Sequence, residues 1–249
     1  MSRPLIFAAN WKMQIGPAEA RDFLRQFLDG FAPADGRSYW FFPPAVSVEA
    51  AAGATAGQRA VAVGVQDVYW EPKGAFTGAT SVPLARAAGA RLVLVGHSER
   101  RHVFGETDQD TARKVEAVLA GGLDALLCVG ETLAQREAGE TERVVVSQLI
   151  NGLDRVAGTD LGRVTVAYEP VWAIGTGKNA TPEDAAAVHR TLRGVLSAKG
   201  HPSARILYGG SVNQGNVAAL LRQAEIDGVL VGGASLDPAG WRTIVAAAV

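Results

Sequence analysis

A single cysteine, Cys128, stands in 249 residues. One thiol excludes an intrachain disulfide framework and suits a reducing compartment. Net charge is almost as scarce: 24 Lys and Arg face 25 Asp and Glu. No overall field draws the chain to nucleic acid or to a membrane surface, so any anion site must be made locally. No apolar run approaches membrane-spanning length. Met1-Ser2-Arg3-Pro4 leads straight into a strand-like run, without signal-peptide architecture. The expectation is a soluble, cytoplasmic protein that binds neither nucleic acid nor membrane. In that setting the sequon Asn179-Ala180-Thr181 is a chance match. No Ser/Gly linker, charge block or composition shift divides the chain, and its length suffices for a full core, so residues 1–249 are expected to form one domain.

What the chain does have is a regular alternation. Short β-rich runs occur at Leu5–Ala9, Ser38–Phe42, Ala60–Val65, Arg91–Val95, Ala125–Val129, Val164–Tyr168, Arg205–Tyr208 and Gly228–Val231. Several are almost wholly apolar, as parallel strands covered on both faces should be. Helical patterns lie between them, among them Pro17–Asp29, Asp108–Ala120, Thr141–Val156 and Thr181–Lys199. The last opens with Thr181-Pro182-Glu183-Asp184: a cap residue, a proline for the first turn and early acids. Eight strand–helix units in about 250 residues fit a single α/β domain, a closed (β/α)8 barrel with a parallel eight-stranded core. A doubly wound open sheet is the competing architecture, but no first βα turn dominates as that fold requires.

Polar residues cluster after the strands, where such barrels carry their chemistry. Asn10 and Lys12 follow the first run, Gly96-His97-Ser98-Glu99 the fourth, and Glu169 the sixth. Gly209-Gly210-Ser211 follow the seventh and Gly232-Gly233 the eighth. Glu169 is a candidate general base, whose apolar neighbours can raise its pKa toward working pH. Pro170 stops the strand, and Val171-Trp172-Ala173-Ile174 run on to Gly175-Thr176-Gly177, the pattern of a base beneath a movable lid. Ser98 with Glu99 reads as the opening of a short helix, whose N-terminus would keep His97 neutral and able to donate to a carbonyl. Lys12 offers a cation, and the two glycine turns offer backbone N–H groups to a phosphate. Taken alone, each has a plainer reading: Glu169 a loop acid, His97 a structural histidine, Lys12 a solvated lysine, the glycines ordinary turns. Gly175-Thr176-Gly177-Lys178-Asn179-Ala180 imitates a dinucleotide fingerprint but does not follow a strand directly. No Cys/His spacing suits zinc, and Cys128 reads as packing.

The undecapeptide Ala167–Gly177 closely resembles the lid segment of the triosephosphate isomerase family. The resemblance extends over essentially the whole chain. It is carried by Asn10-Trp11-Lys12-Met13, Gly74–Gly78, Gly96–Arg101, Cys128–Glu131, Tyr208–Val212 and Gly232–Leu236, in the family's order. It implies reversible isomerisation of dihydroxyacetone phosphate and D-glyceraldehyde 3-phosphate through an enediolate. Glu169 would be the base and neutral His97 the acid at the oxygens. Lys12 and Asn10 would hold charge and oxygens, with Glu99 a supporting acid. Gly175, Ser211, Gly232 and Gly233 would bind the phosphate. No metal or organic cofactor is implied. A homodimer is, with Tyr69, Phe76, Thr77 and Arg100 at its interface and Thr77 supporting the partner's site. Three positions depart from the family: Ala9 where Gly is usual, Asp67 where Asn is common, and Thr80 where Glu often pairs with the partner's arginine. With Thr80, Arg100 is expected to find an acid in its own chain, Glu106. Another phosphosugar enzyme would want strand-end metal ligands or an in-strand Schiff-base lysine. A non-catalytic barrel would have lost Glu169, His97 or Lys12. Neither pattern is present.

Overall fold

The computed structural model describes residues 3–174 and 180–247. Eight strands run parallel in chain order: Leu5–Asn10 (β1), Arg37–Phe42 (β2), Val61–Val65 (β3), Leu92–Val95 (β4), Asp124–Val129 (β5), Val164–Tyr168 (β6), Ile206–Tyr208 (β7) and Gly228–Val231 (β8). Each pairs with the next, and β8 returns to β1 with Ile6 opposite Gly228. That last pairing closes the sheet and rules out the open doubly wound alternative.

Ten helices lie among the described residues, nine between strands and the last after β8: Pro17–Leu28 (α1), Val48–Ala54 (α2), Val82–Ala87 (α3), Ser98–His102 (α4), Asp108–Ala120 (α5), Leu133–Glu137 (α6), Thr141–Gly152 (α7), Pro182–Ala198 (α8), Val217–Leu221 (α9) and Pro238–Val245 (α10). Their starts follow from local chemistry. Thr107 and Asp110 cap α5 reciprocally, and Thr181 Oγ1 accepts the Asp184 N–H at 3.1 Å to open α8, with Pro182 in its first turn. Helix α7 stops at Gly152 and not at Val156 as its periodicity predicts. Gly152 lies so close to β5 that a Cβ there would come within 2.9 Å of Leu127. Gly is also a poor helix former, and the chain departs there.

The strands divide the core in two. Ile6, Ala8, Phe42, Leu92, Leu94, Leu126, Cys128, Ala167, Leu207 and Leu230 form one buried cluster. The alternate strand residues join the helices in the other, which includes Phe7, Tyr39, Phe41, Val93, Val166 and Tyr168. Side chains alternate across a strand, so the first cluster is the barrel interior and the second the layer between barrel and helices. This parity decides what reaches the rim.

Candidate active site

Continuing the inward register past each strand's last apolar residue gives the site. Ile6 and Ala8 lead to Asn10, Ala167 to Glu169, Leu207 to Gly209 and Leu230 to Gly232. All four lie at C-terminal strand ends. Asn10, Lys12, His97, Glu169, Ser211, Gly232 and Gly233 line one cavity of about 300 Å³, together with Ile174, Asn213 and Leu230 among others. Gly175, the remaining predicted phosphate donor, lies outside the described residues, as do Thr176 and Gly177 of the predicted lid and Asn179 of the sequon.

Glu169 is 2% exposed. Its Oε2 accepts the Ser98 N–H at 3.0 Å, its Oε1 lies 3.0 Å from His97 Nε2, and the Cys128 thiol donates from below. Burial favours the neutral acid, but the charge and hydrogen bond of His97, together with the Ser98 N–H, outweigh it, and the carboxyl is held below its usual range. The sequence led to the opposite expectation, a raised pKa. Apolar neighbours alone would give that result; the donors aimed at the carboxylate reverse it. Burial and Glu169 together push the Cys128 thiol well up, so this cysteine stays protonated.

His97 itself, not Ser98, caps α4: its Nδ1 accepts the Glu99 N–H at 3.2 Å. In the neutral ring that bond requires a bare Nδ1 and puts the proton on Nε2, facing Glu169. Burial opposes a charged ring, yet the Glu169 charge, its hydrogen bond and the Glu99 charge prevail, and the imidazole pKa stands above its ordinary value. The expected depression by the helix terminus is therefore overridden while Glu169 faces the ring.

Lys12 carries the one positive φ among non-glycine described residues, +50°. Such a conformation costs roughly 1–2 kcal/mol. It is held by the Lys12 N–H donating to Asn10 Oδ1 at 3.0 Å and by Gln66 Nε2 donating to the Lys12 carbonyl at 2.8 Å. The side chain then reaches Glu99 Oε1 at 2.6 Å, and Glu99 Oε2 lies 3.7 Å from His97 Nδ1. Glu99 thus approaches both Lys12 and His97. Close approach requires glycine at position 209 and leaves little room at position 232. A Cβ on Gly209 would stand 2.8 Å from Glu169 Cγ, and one on Gly232 would stand 3.2 Å from Lys12 Cε. Behind Gly209–Ser211 the next helix, α9, begins only at Val217; behind Gly232 a 3₁₀ turn follows at once, Gly233–Ser235.

Beneath the segment after Glu169 lies a buried carboxylate whose role the sequence did not reveal. Glu131 is fully buried; its Oε1 accepts Trp172 Nε1–H at 2.8 Å and Tyr168 O–H at 3.1 Å. Burial and the Glu131 charge raise the Tyr168 pKa, keeping it a donor.

Tyr69, Phe76, Thr77 and Arg100 are not at this cavity. Tyr69 packs at a tilt against Trp70 and Phe76 in the loop 66–81, with Phe76 and Thr77 exposed. Arg100 Nε donates to Glu106 Oε1 at 2.7 Å, the expected partner, and its Nη2 also lies 3.2 Å from Asp67 Oδ2. Lys114 completes this cluster, 2.5 Å from Asp67 and paired with Glu106.

The whole-chain comparison agrees with this geometry. The family model for triosephosphate isomerase matches residues 5–248. The chain belongs to the triosephosphate isomerase family. It is 48% identical over 250 residues to the triosephosphate isomerase of Delftia acidovorans, covering 100% of both chains. It is 46% identical over 250 residues to that of Symbiobacterium thermophilum, with 99% of this chain and 97% of the other covered. With that of Solibacter usitatus it shares 45% over 249 residues, 98% of this chain and 99% of the other. Among the described residues no group of His, Cys, Asp or Glu is arranged to hold a metal, and no helix is long and apolar enough to cross a membrane.

Proposed function

We propose that the protein interconverts dihydroxyacetone phosphate and D-glyceraldehyde 3-phosphate by proton transfer between adjacent carbons. The observation that carries the reading is the meeting of Glu169, His97 and Lys12 in one cavity that Ser211, Gly232 and Gly233 also line. This lining supports a reading of Glu169 as base, His97 as N–H acid and Lys12 as cation, with backbone donors for a phosphate beside them.

The phosphate sits against Ser211, Gly232 and Gly233, with the Lys12 ammonium supplying the charge that the chain as a whole does not. Glu169 turns off His97 and Ser98 to reach a carbon-bound proton, and takes it as the carbonyl becomes an enediolate. His97 donates from Nε2 to the carbonyl oxygen. Once Glu169 has turned away, the ring loses the charge that raised its pKa, while the Glu99 N–H still opposes protonation at Nδ1. A neutral imidazole then shuttles the proton between the two oxygens. Glu169 returns its proton to the neighbouring carbon. Asn10 holds the oxygens and Glu99 steadies Lys12. The reaction is redox-neutral, so no oxidising or reducing cofactor is called for.

The same reading proposes a homodimer in a reducing cytoplasm. Phe76 and Phe104 are exposed at 40% and 64%. Phe104 also lines, with Tyr69, Trp70 and Thr80, a second cavity of about 470 Å³ that is suited to receive a partner's loop. Thr77, at the tip of its own loop, is then offered to the neighbouring protomer.

Isomerisation of glyceraldehyde 3-phosphate in D₂O tests the function. A single base whose proton exchanges with solvent during the life of the enediolate puts some deuterium on the product carbon next to the carbonyl. Deuterium at that carbon supports the enediolate route, and no turnover rules out the function.

A further inference from the structure

Outside the groups that meet the substrate, one cation touches three elements around the base. We infer that Arg136 is a positioning residue for Glu169, acting through Trp172 and Glu131. The inference rests on the isomerase reading of the site.

The chain around Glu169 is fastened at both sides to a single residue. Tyr168, immediately before it, and Trp172, three residues after it, donate to the same oxygen, Glu131 Oε1, at 3.1 and 2.8 Å. The Val171 N–H donates to the Glu131 carbonyl at 3.0 Å. Glu169 therefore stands in a short bridge whose two ends rest on Glu131. That anchor is costly to maintain. Glu131 is fully buried, and its Oε2 has no hydrogen-bond partner among the described residues. A buried carboxylate without full satisfaction needs a compensating charge, or its site rearranges.

Arg136, five residues on in α6, supplies it. Its Nη1 lies 3.9 Å from Glu131 Oε1. The guanidinium carbon stands 4.4 Å over the Trp172 ring centre. Nη2 reaches Asp184 Oδ2 in the first turn of α8 at 3.3 Å. One planar cation thus neutralises the anchor, presses on the indole bound to it, and ties both to the helix that begins beyond the segment. Only arginine can do all three: lysine has no plane to lay on the indole and no second nitrogen to reach Asp184. The ordinary alternative is a partly exposed ion pair that adds a little stability and nothing to turnover.

Steady-state kinetics and thermal melts of the unsubstituted protein, R136A, R136K, W172A and the double variant R136A/W172A separate these readings. Turnover by the unsubstituted protein is measured first, and its absence would sink the isomerase reading before any variant is considered. For R136A we expect kcat to fall roughly ten- to a hundredfold, as loss of base alignment does, with KM little changed because the phosphate donors are untouched. R136K, which keeps a charge near Glu131 but no stacking plane, should fall between. In the W172A background the R136A change should cost almost nothing further, because its route to the base is already cut. An unchanged kcat with a lowered melting temperature would reduce Arg136 to a stabilising ion pair. Additive losses in the double variant would show that it acts by another route. If R136A does not fold, R136K decides alone: wild-type kcat in that variant overturns the inference.

Discussion

Nε2 of His97 lies 3.0 Å from Oε1 of Glu169, and both side chains are buried. Each holds the other's charged form, so Glu169 is displaced downward and His97 upward. The two have opposite linkage signs. The depressed carboxyl stabilises the fold above its ordinary value of 4.5 and loses that contribution as pH falls through its lower folded pKa. The raised imidazole stabilises below its ordinary 6.5 and loses its contribution as pH rises through its higher folded pKa. The pair therefore supports the fold most fully between those two ordinary values. E169Q should cost about 1–3 kcal/mol in that window, and the cost should shrink as pH rises beyond it. Urea midpoints at half-unit pH steps measure this. A difference that does not vary with pH would mean that the pair is not ionised in the folded protein.

E169D shortens the base by one methylene while keeping its charge. The carboxylate then falls short both of Ser98 and of any carbon-bound proton in the cavity. A shift of that size should lower kcat by about a hundredfold or more, with the far-ultraviolet circular dichroism unchanged. Near-normal turnover would remove Glu169 from the role of base.

K12M removes the ammonium and leaves Glu99 without its partner at 2.6 Å. Charge-assisted bonds contribute about 1.5–3 kcal/mol each, so kcat/KM should fall between roughly tenfold and a few hundredfold, with KM rising and kcat falling. Assays at low salt give the sharpest reading, since screening is weakest there. If kcat/KM hardly moves, the backbone donors of the glycine turns hold the phosphate by themselves.

Much of this was legible in the chain, for a physical reason. Parallel strands covered on both faces are apolar throughout, so β6 and β8 have the bounds their composition indicates, Val164–Tyr168 and Gly228–Val231. The inward parity that carries Ala167 to Glu169 and Ile6 to Asn10 is a property of sequence as much as of fold. What escaped depends on distant partners. Glu131 meets Tyr168 and Trp172 from 37 and 41 residues away, and nothing local marks it. The direction of the Glu169 shift was misjudged for the same reason: burial is visible in sequence, but the Ser98 N–H and the His97 ring that overrule it arrive from β4.

His189, in α8, is fully buried, and burial drives its pKa down to about 4. Its Nδ1 lies 3.1 Å from the Glu225 carbonyl, which makes Nδ1 the protonated nitrogen of a neutral ring. A depressed pKa here means that the unfolded chain takes up a proton near 6.5 and the folded one does not until about 4. Stability should therefore fall with acid across that interval, by about 3 kcal/mol from this residue alone. H189N keeps a donor near the position of Nδ1 and cannot titrate. Its urea midpoint should decline less steeply between pH 6.5 and 4 than that of the unsubstituted protein. Parallel declines would show that His189 is not a source of acid sensitivity.

Arg100, proposed to lie at a dimer interface, gives the last test. Arg100 is held within its own chain by Glu106 at 2.7 Å and Asp67 at 3.2 Å. Burial raises the Asp67 pKa despite Lys114 beside it, so this cluster has little tolerance for another carboxylate. T80E restores the acid common at this position, but it meets an arginine already satisfied and two acids that repel it. The gain in dimer stability should therefore be below the 0.2–1 kcal/mol typical of a partly exposed pair, about zero. D67N releases Arg100 from one of its two carboxylates and brings back the amide common in the family. The double variant D67N/T80E should then tighten the dimer measurably more than the sum of its single changes, and added salt should erase the difference. Sedimentation equilibrium across an ionic-strength series reads both effects. A dimer tightened by T80E alone would mean that Arg100 leaves Asp67 freely for a partner across the interface. Equal dimers in all four proteins would mean that Arg100 takes no part in association and that apolar burial around Phe76 and Phe104 carries it.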